Sequence, residues 1–118
     1  MQERLERAVW QAYFDDFSKT HAGYMARIEI LGRDYGDQEE AAWIPFSGIS
    51  YDPHHDQLLI TVGGMSSRYP VHLTHTIVRP VEIEVHPVPG EDLTSIRVAA
   101  ADGTETLVTL RPEPQLPE

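Results

Sequence analysis

The sequence predicts an α+β protein: one N-terminal helix packed on a mainly antiparallel, strongly curved sheet of about seven strands, shaped as a small barrel or sandwich. Three observations predict it. Only residues 3–21 repeat apolar side chains at helical spacing; later apolar segments alternate with a period of two; and the connections between them are short and rich in Gly, Pro and Asp.

The helix is expected over 3–21. Leu5, Val9, Trp10, Ala12, Tyr13, Phe14 and Phe17 fall on one broad arc, with Arg4, Arg7, Gln11, Asp15, Ser18 and Lys19 opposite. Glu3 and Glu6 sit near its positive end, Lys19 and His21 near its negative end, and Gly23 is placed to take a left-handed cap. Trp10 and Phe14 widen the arc beyond what one sheet face needs, so this helix is either deeply cradled or meets another chain. Asp16 lies on the apolar side of the same wheel, beside Leu5 and Val9.

From Tyr24 the period becomes two. "YMARIEIL" suits a strand with one covered face, and after the polar turn "GRDYGDQEE" comes "AAWIPFSGISYD". Pro45 donates no ladder bond, so this segment is an edge strand, a bulge, or two strands broken between Pro45 and Gly48. "QLLITV" follows, closed by Gly63 and Gly64, then "VHLTHTIV" and "VEIEVH" around Arg79 and Pro80. In the latter, Val81, Ile83 and Val85 are expected inward, with Glu82, Glu84 and His86 in solvent. The last pair, "LTSIRVAAADGTETLVTL", turns through a three-residue loop, Ala101 to Gly103, because that register sets Ile96 against Val108 and Val98 against Thr106. Residues 1–111 form the expected single domain, and the Pro- and Glu-rich 112–118 a disordered tail.

Nineteen acidic residues against nine basic ones give a net charge of -10, which repels phosphate backbones and argues against nucleic acid as a partner. Absence of cysteine removes disulfides, thiolate metal sites and thiol nucleophiles. With four charges before the first aromatic and no long apolar run, no membrane segment is expected, and a cytoplasmic protein is the default.

Several clusters invite a chemical reading. In "DPHHD", Asp52 and Pro53 are what a type I turn prefers. Zinc needs three or four converging ligands, so His54, His55 and Asp56 become a metal site only with help from elsewhere, for instance His72. On a strand, His72 and His75 point to opposite faces, and His75 shares its face with Leu73 and Ile77 as a buried, hydrogen-bonded core residue. "VGGMSSRYP" pairs glycines with Arg68 but lacks the context and lysine of a phosphate loop, and Ser66 and Ser67 sit in no nucleophile elbow. The carboxylate pairs Asp15 with Asp16, Glu39 with Glu40, and Glu82 with Glu84 read as solvated surface in so acidic a chain.

The run Trp10, Phe14, Phe17, Ser18, then Gly23 before a strand, with Pro80 between late strands and Asp102-Gly103 near the end, resembles a small bacterial domain-of-unknown-function family. The resemblance implies a bacterial source and a compact stand-alone domain. It carries over no functional residue.

The expectation is a non-enzymatic binding or interaction module, with a second copy or another protein as partner and Trp10 and Phe14 as interface anchors. The alternative is a metal-binding domain or metal-dependent hydrolase using His54, His55 and Asp56. No cofactor is expected.

Overall fold

Extended segments need neighbours for their backbone groups, and here each full strand finds an antiparallel one. The computed structural model describes residues 3–32, 36–64, 72–87 and 92–112, with the backbone alone at 3, 36–42 and 72. Its strands are β1 (Glu3–Arg4), β2 (Met25–Gly32), β3 (Gly36–Asp52), β4 (Gln57–Gly63), β5 (His72–Val78), β6 (Pro80–Pro87), β7 (Thr94–Ala100) and β8 (Glu105–Arg111). One helix, α1 (Trp10–Thr20), follows a 3-10 turn over Arg7–Val9. Seven strands of seven residues or more, a two-residue β1 and one helix agree with the predicted α+β class.

The sheet order is β1-β6-β7-β8-β2-β3-β4-β5. The sheet is curled and its ladder stays open. Two bends curl it. At the first, the 17-residue β3 pairs with β2 as far as Pro45 and with β4 from Phe46 onward, so the chain changes partner where the ladder loses a donor. At the second, Arg79 alone separates β5 from β6, in left-handed backbone (φ 53°). Both of its backbone groups are satisfied: its N–H donates to Asp56 O at 2.8 Å, and its carbonyl accepts from Ala101 N at 2.9 Å. The corner is thereby tied to the β3–β4 and β7–β8 turns.

The core lies within the curl. Ala26, Ile28, Leu58, Ile60, Val62, Ile83, Ile96, Val98, Val108 and Leu110 are fully buried, and Phe46 joins Phe14 and Phe17 of α1. The Asp102-Gly103 hairpin adopts the three-residue loop, with Ile96 opposite Val108, Val98 opposite Thr106, and Gly103 at φ 91°. Gly23 takes the left-handed conformation after α1 (φ 86°).

The helix begins later than its periodicity predicts. Glu3 and Arg4 pair with Val85 and Glu84 of β6, Leu5 N donates to Ile83 O at 2.9 Å, and Glu6 is extended. The Trp10 indole donates to Leu5 O at 3.2 Å, closing the loop back over the strand. Leu5 is thus buried as a strand extension, while Val9 is 46% exposed and Asp16 lies in solvent.

Two expectations along β6 also change. Val81 is 51% exposed because the register with β7 shifts between Pro80 and Glu82 and turns it outward. Glu84, expected in solvent, is 6% exposed: the Arg97 guanidinium bonds it together with Glu105, and Glu82 lies 3.6 Å away. A buried carboxylate requires such a partner. The tail expected from 112 falls beyond the described residues after Pro112.

Candidate functional site

The β3–β4 turn is built by its first residue. Asp52 Oδ1 accepts from His54 N at 2.9 Å and from His55 N at 3.4 Å, which is the side-chain-to-backbone bond of an Asx turn. Asp52 Oδ2 lies 2.7 Å from His55 Nδ1, and this contact, with the backbone donors, holds the Asp52 carboxyl below the ordinary carboxylate range. His54 is exposed. Asp56 turns the other way, accepting from the Tyr51 hydroxyl at 2.6 Å and from Arg7 at 3.0 Å. His54, His55 and Asp56 therefore do not converge, and among the described residues no group of three or more His, Cys, Asp or Glu is placed to hold a metal ion. The His72 side chain, Ser66, Ser67, Arg68 and the side chains of Glu39 and Glu40 lie outside the described residues.

Asp56 is in left-handed backbone (φ 50°), which Asp tolerates better than most residues. Its carboxylate makes Asp more than a substitute for Gly. The Tyr51 bond, then Arg7, lowers its pKa; the same Asp56 bond raises the Tyr51 phenol and, as the largest contribution, the Arg7 guanidinium. Arg7 also donates to Pro80 O at 2.9 Å and lies over the Trp10 ring, 4.5 Å from its centroid. A cleft of about 480 Å³ opens here, lined by Arg7, Ala8, Gln11, Tyr51, Pro53 and Asp56. Its charged groups bind one another, so its chemistry is that of a clasp, pinning the N-terminal segment to two turns.

Trp10 and Phe14 are 1% and 0% exposed in the single chain. Trp10 meets Tyr51 edge-on at 5.1 Å, and Phe14 packs on Tyr13 and Phe17. Both anchors expected at an interface are core here, because α1 lies along β3 and turns its aromatic side into the curl. Ser18, on the expected polar side, reaches the sheet as well. Its hydroxyl donates to Ile49 O at 2.8 Å and accepts from Ile49 N at 2.9 Å, taking the place of a strand beside β3 after β2 has left it.

The remaining feature is β5. It pairs with β4 in unbroken register from His72↔Gly63 to Val78↔Gln57 and has no neighbour on its other side among the described residues. Leu73, Thr74, Thr76 and Val78 are exposed, and Thr74 contacts Thr61 of β4 at 3.2 Å between hydroxyls. Beside the strand a cleft of about 200 Å³ separates His75, Thr76, Ile77 and Val78 from Ile30, Ala100, Asp102, Thr104 and Thr106. Its lining mixes the apolar Ile30, Ile77, Val78 and Ala100 with hydroxyl groups, an imidazole and the Asp102 carboxylate. His75, expected to be fully buried, is half-buried at this opening.

The sequence of the whole chain, residues 1–118, matches the family model described as a family of unknown function, DUF5335. The chain belongs to DUF5335. An uncharacterized protein of Aquifex aeolicus (strain VF5) is 32% identical over 114 residues, covering 97% of this chain and 96% of the relative. No solved structure matches at a significant level.

The positions that carry the likeness to a bacterial family of unknown function have structural work within this DUF5335 chain. Trp10, Phe14 and Phe17 fill the core, Ser18 satisfies Ile49, Gly23 ends the helix, and Pro80 starts β6 at the corner. Asp102 accepts from Thr104 N at 2.9 Å to shape the last turn. Among the described residues, no helix is long and apolar enough to cross a membrane.

Proposed function

We propose that this protein is a non-enzymatic binding module that takes up an extended polypeptide segment along β5, within the cytoplasm. The observation that carries the reading is the character of that edge. β5 is regular, uncharged and free of proline, and its outer side borders a cleft. An unpaired edge of this kind is a template for an added strand: main-chain hydrogen bonds supply affinity, and a pocket for an alternate side chain supplies selectivity. The cleft beside His75 and Ile77 is placed to receive one such side chain.

The clusters that invited a catalytic or metal reading support this indirectly. His55 is held by Asp52, Asp56 by Tyr51 and Arg7, and the Glu82, Glu84 and Glu105 carboxylates surround Arg97. Each group has a folding role that accounts for it.

Panning random decapeptides displayed on phage against the full chain tests the reading. Expected is enrichment of alternating apolar and polar sequences whose binding protects the β5 amides from exchange. Failure to enrich such sequences, or enrichment of peptides that leave β5 amides unprotected, contradicts it.

A further inference from the structure

We infer that the strand taken up by β5 is the β5 of a second copy of this chain, paired antiparallel about a twofold axis through His75; this rests on the reading of β5 as a docking edge. The first argument is self-complementarity. A twofold contact brings one patch against itself, so the strand must match its own reverse. Centred on His75, the middle of a seven-residue strand, all seven positions pair: Thr74 faces the partner's Thr76, Leu73 faces the partner's Ile77, the two His75 residues meet at the axis, and at the ends His72 faces the partner's Val78. At the centre of the strand Thr pairs with Thr on one face, and Leu73 with Ile77 on the other. Moving the axis to Thr74 or Thr76 shortens the overlap and breaks the pairing of Thr74 with Thr76. Matched pairs of this kind each contribute roughly 0.2–1 kcal/mol.

The second argument is charge. Two copies of a chain carrying -10 repel one another, and they approach most easily where neither presents a charged group. β4 and β5 are the place: QLLITVG and HLTHTIV contain no Asp, Glu, Lys or Arg, in a chain with nineteen acids and nine bases. β2, β3, β6, β7 and β8 each include at least one charged residue. Apart from Asp102, which lines the cleft across from β5 and accepts from Thr104 N, the edge carries no charge and suits a copy of itself. Pairing also joins β3-β4-β5 of each copy into one continuous sheet and removes both free edges.

Sedimentation of the full chain over a range of micromolar concentrations, at low and high salt, tests the inference. Expected is a dimer that tightens as salt screens the repulsion. Thr74→Lys combined with Thr76→Lys opposes like charges across the axis twice and weakens the dimer by about tenfold or more, and mixing with the Thr74→Glu, Thr76→Glu chain restores association. All four substitutions are at exposed positions, and an unchanged circular dichroism spectrum identifies folded variants. The register has its own test, since the chain has no cysteine. A Thr74→Cys chain mixed with a Thr76→Cys chain forms a disulfide heterodimer on oxidation, and neither does so alone, because only the mixed pair lies directly opposite. A monomer at every concentration and salt, a dimer indifferent to the lysines, or equal cross-linking in the unmixed variants overturns the inference. A monomer that still binds selected decapeptides along β5 overturns the self-pairing and leaves the docking edge standing.

Discussion

The two ends of the sheet are treated in opposite ways. At the β6 end the chain uses most devices by which an edge is protected: β1 and Leu5 pair over its middle, Pro80 and Pro87 stand at its limits, the register shifts beside Val81, and Glu82 and Glu84 place charge along it. At the β5 end, seven regular residues offer their outer side with none of these among the described residues. Guarding edges is the ordinary condition of soluble sheets. The contrast within one molecule teaches that the unguarded edge is where an added strand belongs.

Disturbing the guarded side should cost stability, and disturbing β5 should cost association instead. The largest expected effect is from Phe14→Ala, which empties a fully buried site beneath the helix and should lower unfolding free energy in urea by about 3–5 kcal/mol. Ser18→Ala leaves Ile49 N–H and C=O without their partner and should cost about 1–3 kcal/mol by the same measurement. Asp56→Asn keeps a residue suited to left-handed backbone but removes the clasp's charge; with the pair partly exposed, about 1 kcal/mol is expected at neutral pH.

The pH dependence of that third effect has a definite sign. Asp56 has a lowered folded pKa, so its contribution is complete above the ordinary carboxyl value of about 4 and is lost as pH falls through the folded value. Thermal melts of the parent and of Asp56→Asn should converge as the pH drops below about 4. A constant gap would show that the carboxylate is not what the clasp uses. The smallest effect on stability is from Thr74→Lys with Thr76→Lys, about 0.5 kcal/mol or less in the monomer, as for exposed sites generally. A large loss there would place β5 among the guarded elements and break the comparison.

The architecture was legible where side-chain period was clear. Alternation located the strands from β2 to β8, and matching apolar partners selected the three-residue loop at Ala101 to Gly103 over a two-residue turn. Pro45 foretold a break in pairing, although a single strand changing partner was one solution among several. The N-terminus was less legible, because Leu5 carries the same apolar signal whether it lies on a helix or extends a strand beside β6. Trp10 and Phe14 widened the helical arc, yet one chain cannot say what covers a wide arc; here β3 and the curl do.

The clasp was hidden because Arg7 lies 44 and 49 residues before Tyr51 and Asp56, and the motif DPHHD drew notice to its histidines instead of Asp56. The β5 edge was hidden for a topological reason. Whether HLTHTIV lies inside a sheet or at its margin depends on strand order, which alternation does not encode. Its lack of charge was the one signal present from the start, and it becomes informative only once the strand is known to be an edge.

Amide hydrogen exchange followed separately in β5 and β6, in one sample diluted and concentrated, tests the central claim most directly. The account predicts that exchange along His72–Val78 slows as the protein is concentrated while exchange along Pro80–Pro87 stays as it was. Rates in β5 that ignore concentration and are untouched by any selected peptide would contradict it.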